Sequence, residues 1–206
     1  PIYVKGKVLY GLHLSKASIS RLKHAVMVEG YFDWAQAYQA GITNVVASSG
    51  TALTPAQVRL LKRFAAKAVL SFDPDAAGQG AAARSSELLV SEGFQVNVAM
   101  LPAGDDPDNF IRKHGGAAYQ AQLRASRPYL EYLLERTAAE HDFNKDDSRR
   151  EFLGKMLTIA ARIPDAAARD QFADRLAHHL QIGTRGMRPN DRQTARIARA
   201  GMDEVE

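Results

Sequence analysis

Short apolar runs alternate with amphipathic stretches from about residue 25 to 114, a pattern that predicts a parallel sheet flanked by helices. Ala25-Val26-Met27-Val28, Val45-Val46-Ala47 and Val69-Leu70-Ser71-Phe72 are short and almost wholly apolar, as strands covered on both faces should be. In Val96-Asn97-Val98-Ala99-Met100 the larger apolar side chains take every second position, which predicts a half-covered strand nearer an edge. Helices are predicted near 31–40, 55–65 and 75–92, the second opened by Thr54 as cap and Pro55 at the first helical position. After residue 115 strand signals stop and the pattern turns helical to about residue 181. There Phe152, Met156, Ile159 and Ile163 mark one apolar helix face and Phe172, Leu176 and Leu180 another, and two such faces can bury each other as a small bundle. Gly183, Gly186, Pro189 and scattered arginines give residues 183–206 the character of an exposed tail or linker. The expected organisation is therefore a basic N-terminal region over 1–24, an α/β domain over 25–114, a helical subdomain over 115–182 and the tail.

Composition narrows the chemistry more than the fold. No run approaches the eighteen apolar residues of a membrane span and no secretory leader is present, so a cytoplasmic, non-membrane protein is expected. Cysteine is absent, which removes disulfides, thiolate nucleophiles and cysteine-ligated zinc and points any metal site toward oxygen ligands and hard ions such as magnesium or manganese. The net charge of +4 says little by itself. Its distribution says more, because Lys5, Lys7, Lys16, Arg21 and Lys23 precede Glu29 with no acidic residue among them. Such a strip suits phosphates, and equally suits a plain solvated face. Position 1 is Pro, which points to a start inside a longer chain.

Candidate chemistry gathers where the predicted strands end, the place where open parallel sheets bind ligands. Glu29 follows the first buried run and Asp73 the third, with Asp75 one proline further on. A carboxylate pair at that spacing can share a divalent ion, leaving room for water and substrate phosphate. Asp105, Asp106 and Asp108 follow the fourth run and supply a second acidic edge. Several carboxylates in one place repel one another unless cations or hydrogen bonds compensate, and two metal ions resolve that conflict in enzymes that make or break phosphodiesters. Taken singly, Asp-x-Asp reads as a turn and Gly104-Asp105-Asp106-Pro107-Asp108 as a turn that caps a helix. Gly30, Gly50, Gly78 and Gly80 allow close backbone approach to phosphate, or simply permit turns.

The order of these motifs resembles the Toprim fold of bacterial primases, topoisomerases and some nucleases. Val28-Glu29-Gly30-Tyr31-Phe32-Asp33 is similar to the primase glutamate motif, Ala47-Ser48-Ser49-Gly50-Thr51 to its glycine loop, and Asp73-Pro74-Asp75-Ala76-Ala77-Gly78 to its paired aspartates, with Pro74 where glycine is common. Leu101-Pro102 and Asp105-Asp106-Pro107-Asp108-Asn109-Phe110-Ile111 resemble the primase segment that follows. Lys5-Gly6-Lys7 and Leu9-Tyr10-Gly11-Leu12 carry the likeness upstream, and it runs on to Gln181-Ile182. Resemblance to the DnaG-type primases implies a Toprim-type sheet with a C-terminal helical bundle, and RNA primer synthesis from ribonucleoside triphosphates on single-stranded DNA. It implies Glu29, Asp73 and Asp75 as catalytic magnesium or manganese ligands assisted by Asp106 and Asp108, with Lys5, Lys7, Lys16 and Gly50 beside nucleic acid or nucleotide. It also implies a replicative helicase as partner of the full-length protein, through a domain that, like the zinc-binding one, is expected to lie outside this stretch. A Toprim nuclease or topoisomerase and a non-catalytic interaction module remain as alternatives.

Overall fold

The computed structural model describes residues 4–49, 52–72 and 76–183. The chain divides into two compact units, Pro1–Tyr129 and Leu130–Glu206. The first is built on a five-stranded sheet: β1 (His24–Val28), β2 (Val45–Ala47), β3 (Lys67–Leu70), β4 (Gln95–Val98) and the two-residue β5 (Arg127–Pro128), in the order β2-β1-β3-β4-β5. The first four are parallel and β5 closes the far edge antiparallel to β4. This is the mostly parallel sheet that the apolar runs predict. Central β1 is buried on both faces along Ala25, Val26, Met27 and Val28, whereas β4 alternates between exposed and buried positions.

Helices α1 (Leu12–Leu22), α2 (Tyr31–Gln39), α3 (Pro55–Lys62), α4 (Ala76–Ser91) and α5 (Pro107–Arg124) flank the sheet. The main core packs α2 and α5 onto β1 and β2 through Val26, Val28, Trp34, Ala37, Val45, Ala47, Phe110, Ile111 and Tyr119. Thr54 caps α3 as expected: its Oγ1 accepts the Gln57 N–H at 3.2 Å, and Gln57 Oε1 accepts the Thr54 N–H at 3.0 Å.

The basic N-terminal region is part of this unit. Gln57, fully buried, donates from Nε2 to the Lys5 and Val8 carbonyls at 3.2 and 2.7 Å, fixing a 3-10 turn over Lys5–Lys7 against α3. Tyr10 and Ala47 exchange backbone hydrogen bonds of 3.0 and 3.1 Å, and Ser15 Oγ and Trp34 Nε1 both donate to the Val45 carbonyl at 2.7 and 2.9 Å. The outer edge of β2 is thereby closed.

The change from α/β to helical structure falls at Tyr129/Leu130 rather than near residue 115. Helix α5 does break at Gly115 (φ 82°), but its second half stays on the first unit: a Cβ on Gly116 would sit 2.8 Å from the Ala40 carbonyl oxygen and Cβ, and Tyr119 is fully buried. Tyr129 begins α6 (Tyr129–Ala139), which α7 (Asp146–Ala160) and α8 (Ala166–Gly183) follow. In the second unit Leu134, Phe152, Met156, Ile163, Phe172, Leu176 and Leu180 form the buried set, most of the residues that the spacing singles out. The expected tail lies outside the described residues, apart from Gly183 at the end of α8.

Candidate metal and nucleotide site

The strand order reverses at β1, which has β2 on one side and β3 on the other. The crevice beyond the carboxyl ends of β1 and β3 is thus a topological switch point, where open α/β sheets bind ligands. Pairing persists to the last residue of β1: the Ser48 N–H donates to the Val28 carbonyl at 3.3 Å and the Ser71 N–H to the Met27 carbonyl at 2.9 Å. Half-buried Glu29 follows immediately, flanked by the chain leaving β2 at Ser48-Ser49 and the chain leaving β3 at Ser71-Phe72. Strand β3 ends at Leu70, so the expectation that Asp73 directly follows a strand is corrected by two residues. Asp73, Asp75 and Gly50 lie outside the described residues. Ser49, directly before Gly50, is buried and holds a left-handed backbone with φ 69°, uncommon for a residue with a side chain.

One residue ties this crevice together that the sequence reading passed over as a site. Asp33 accepts the Gly30 N–H on Oδ2 at 3.0 Å, fixing the turn that presents Glu29, and accepts the Asp108 N–H on Oδ1 at 3.2 Å, fixing the start of α5. Its available signal was the spacing Gly30-x-x-Asp33, a helix-capping arrangement. Burial raises the Asp33 pKa above its ordinary 3.8, the two backbone N–H donors oppose that shift, and the charges of Asp106 and Asp108 add to it. Beneath it Tyr119 lies buried beside Ser71, its phenol pushed well above the ordinary value mainly by burial.

A carboxyl whose pKa is raised on folding binds its proton more readily in the folded state. Its contribution to stability is complete below the unfolded value and is lost as pH rises through the folded one. The unfolding free energy of the native chain minus that of Asp33→Asn should accordingly be largest near pH 3.5 and shrink toward pH 7. Urea titrations across that range check the sign.

The second acidic edge is engaged at the start of α5. Asp106 caps α5, its Oδ1 accepting the Asn109 N–H at 2.7 Å, and Asp108 lies in the first turn. Asp108 pairs with Arg112 at 2.7 Å and buried Asp105 pairs with Lys113. Asp105 and Asp108 thus each have a cation as partner, and Asp106 has the α5 cap. Among the described residues no three His, Asp or Glu side chains are set to hold a metal ion. Glu29 at the switch point fits one ligand of a hard ion, and completing the expected set needs Asp73 and Asp75. Lys5, Lys7 and Lys16 are exposed, the first two on the 3-10 turn and the third on α1. Among the described residues no helix is long and apolar enough to cross a membrane.

Comparison with known proteins settles the lineage. Residues 26–111 match the Toprim-like family model, and residues 130–184 match the model of the DnaB-helicase binding domain of primase. The DNA primase of Halalkalibacterium halodurans is 34% identical over 183 residues, covering 88% of this chain and 31% of the relative. The chain belongs to the DnaG-type primase family. The Clostridium acetobutylicum DNA primase is 42% identical over 148 residues, 71% of this chain and 24% of that protein. A solved DnaG primase catalytic domain bound to single-stranded DNA superposes with a TM-score of 0.81 at 30% identity, covering 87% of this chain and 58% of the other. The chain thus spans about a third or less of the length of these curated primases. The family's catalytic-core fold is the one observed, a mostly parallel sheet with a helical part after it. The match over 130–184 corrects the expectation that the helicase-binding part lies outside this stretch. Helical periodicity marked those helices as a bundle, but carries no mark of this family.

Proposed function

We propose that this chain is the metal-dependent catalytic part of a primase, joining ribonucleotides on single-stranded DNA. The observation that carries the reading is Glu29 at the β1/β3 switch point, in a chain whose next segment beyond β3 holds Asp73 and Asp75. Glu29, Asp73 and Asp75 would hold magnesium or manganese, which supplies charge stabilisation for attack of a ribose 3′ hydroxyl on a nucleoside triphosphate with release of pyrophosphate. The chain's own part is positioning. Asp33 sets the turn after Glu29 through the Gly30 N–H and sets the start of α5 through the Asp108 N–H, so one carboxylate ties the two together. Asp106 and Asp108 serve the start of α5 and its ion pair. Residues 130–184 would supply the helicase contact, a role supported by their family match.

With ribonucleotides and a single-stranded template, the chain should make short RNA in magnesium or manganese and none once the metal is chelated. Gel analysis of labelled product reads the result. Metal-dependent nicking of DNA without nucleotide incorporation would instead favour the nuclease reading.

A further inference from the structure

The surface around Glu29 carries a feature that the carboxylates do not use. Among the described residues, the exposed large aromatic side chains are Tyr10, Tyr31 and Phe32, at 41%, 43% and 77% exposure. All three are local to the carboxyl ends of β1 and β2. Tyr31 and Phe32 open α2 directly after Glu29-Gly30, and Tyr10 is bridged to Ala47, the last residue of β2. Burying a phenylalanine side chain is favourable, and Phe32 forgoes most of that gain by facing solvent. Tyr10 and Tyr31 are held where they are. Their rings meet edge to face with centroids 4.7 Å apart, and Tyr10 stands edge-on to buried Trp34 at 5.0 Å. Trp34 is in turn fixed by its hydrogen bond to Val45 and by stacking on Tyr38. Rings braced in this way lose little further freedom when something stacks on them.

Charge indicates the occupant. Lys5, Lys7 and Lys16 are exposed on the segment that leads into and follows Tyr10, and no acidic residue precedes Glu29. Across the crevice Asp105 and Asp108 already have Lys113 and Arg112. Exposed aromatic rings on a surface to which a lysine-bearing segment leads suit a strand whose bases stack and whose phosphates are drawn to lysine, a mode tolerant of base sequence.

We propose that Tyr10, Tyr31 and Phe32 form a stacking surface for unpaired bases of a single-stranded nucleic acid, with Lys5, Lys7 and Lys16 attracting its phosphates. The inference rests on the primase reading for the presence of a strand at this site. Its test does not depend on catalysis.

The intact chain is titrated, in chelator and without ribonucleotides, with labelled oligothymidylate and with an abasic oligonucleotide of equal length. Phe32→Ala should weaken oligothymidylate binding about tenfold and leave abasic binding unchanged. The emission of Trp34, the chain's one tryptophan, should change on adding oligothymidylate. Equal oligothymidylate affinity of the native and Phe32→Ala chains, an equal loss for the abasic strand, or no binding by the native chain overturns the proposal. So does a change in oligomeric state of Phe32→Ala with DNA affinity intact, which would make this a self-association face. Base-dependent binding lost in Phe32→Ala, from a chain that makes no primer, would sink the primase reading and support the stacking surface.

Discussion

Glu29→Gln should reduce metal-dependent primer synthesis by at least about a hundredfold, while changing the unfolding free energy by no more than about 1 kcal/mol. The substitution keeps the shape of the side chain and removes the charge that a divalent ion requires. Glu29 is half-buried just beyond the end of β1 and lies outside the buried apolar core, and Gln keeps its length and one carbonyl oxygen. Primer yield at saturating magnesium, set beside urea unfolding of the same sample, separates the two effects. Retained synthesis would remove Glu29 from the proposed metal set. A comparable loss of stability would show that its carboxylate serves the fold instead.

Gly11→Ala should destabilise the first unit by roughly 2–4 kcal/mol, from a left-handed backbone penalty and an overpacked core. Gly11 has φ 77° and opens α1, and an added Cβ would fall inside the indole of Trp34. The ring has little room to yield, since its Nε1 is hydrogen-bonded to Val45 and one face is stacked on Tyr38. Chemical unfolding followed by circular dichroism and by Trp34 fluorescence reads the loss. An unchanged midpoint would mean that the indole is free to move.

Strands and helices with a continuous apolar signature were legible in the sequence, and so was the crevice at their ends. Boundaries failed where polarity and geometry part company. Ser71 and Phe72 prolong the apolar run of β3 and are buried, yet they lie beyond the strand, so the run overstates its length. Strand β5 left no signal because Arg127 and Pro128 are both exposed and contribute only backbone pairing to β4. Helix α1 was passed over although Leu12, Ser15 and Ile19 mark a buried face, because a serine sits in that face while Leu14 and Leu22 lie exposed outside it, which blurs the period. Glu29 stood out through its position after a buried run, whereas Asp33 was passed over because its work is done on backbone N–H groups. The Asp105–Asp108 run offered two readings, a helix start and a metal edge, and the cap that Asp106 makes on α5 shows the first without deciding the second.

The closure of the β2 edge bears on where this protein can be cut. The Toprim-like match begins at residue 26, after the segment that contributes Tyr10 to Ala47, Ser15 to Val45, and the Lys5 and Val8 carbonyls to Gln57. A fragment trimmed to that boundary would retain every motif carboxylate and yet carry a raw strand edge and an unsatisfied buried amide. The Toprim-like match and the compact unit do not share an N-terminal border here. The second starts at least as early as the turn at Lys5.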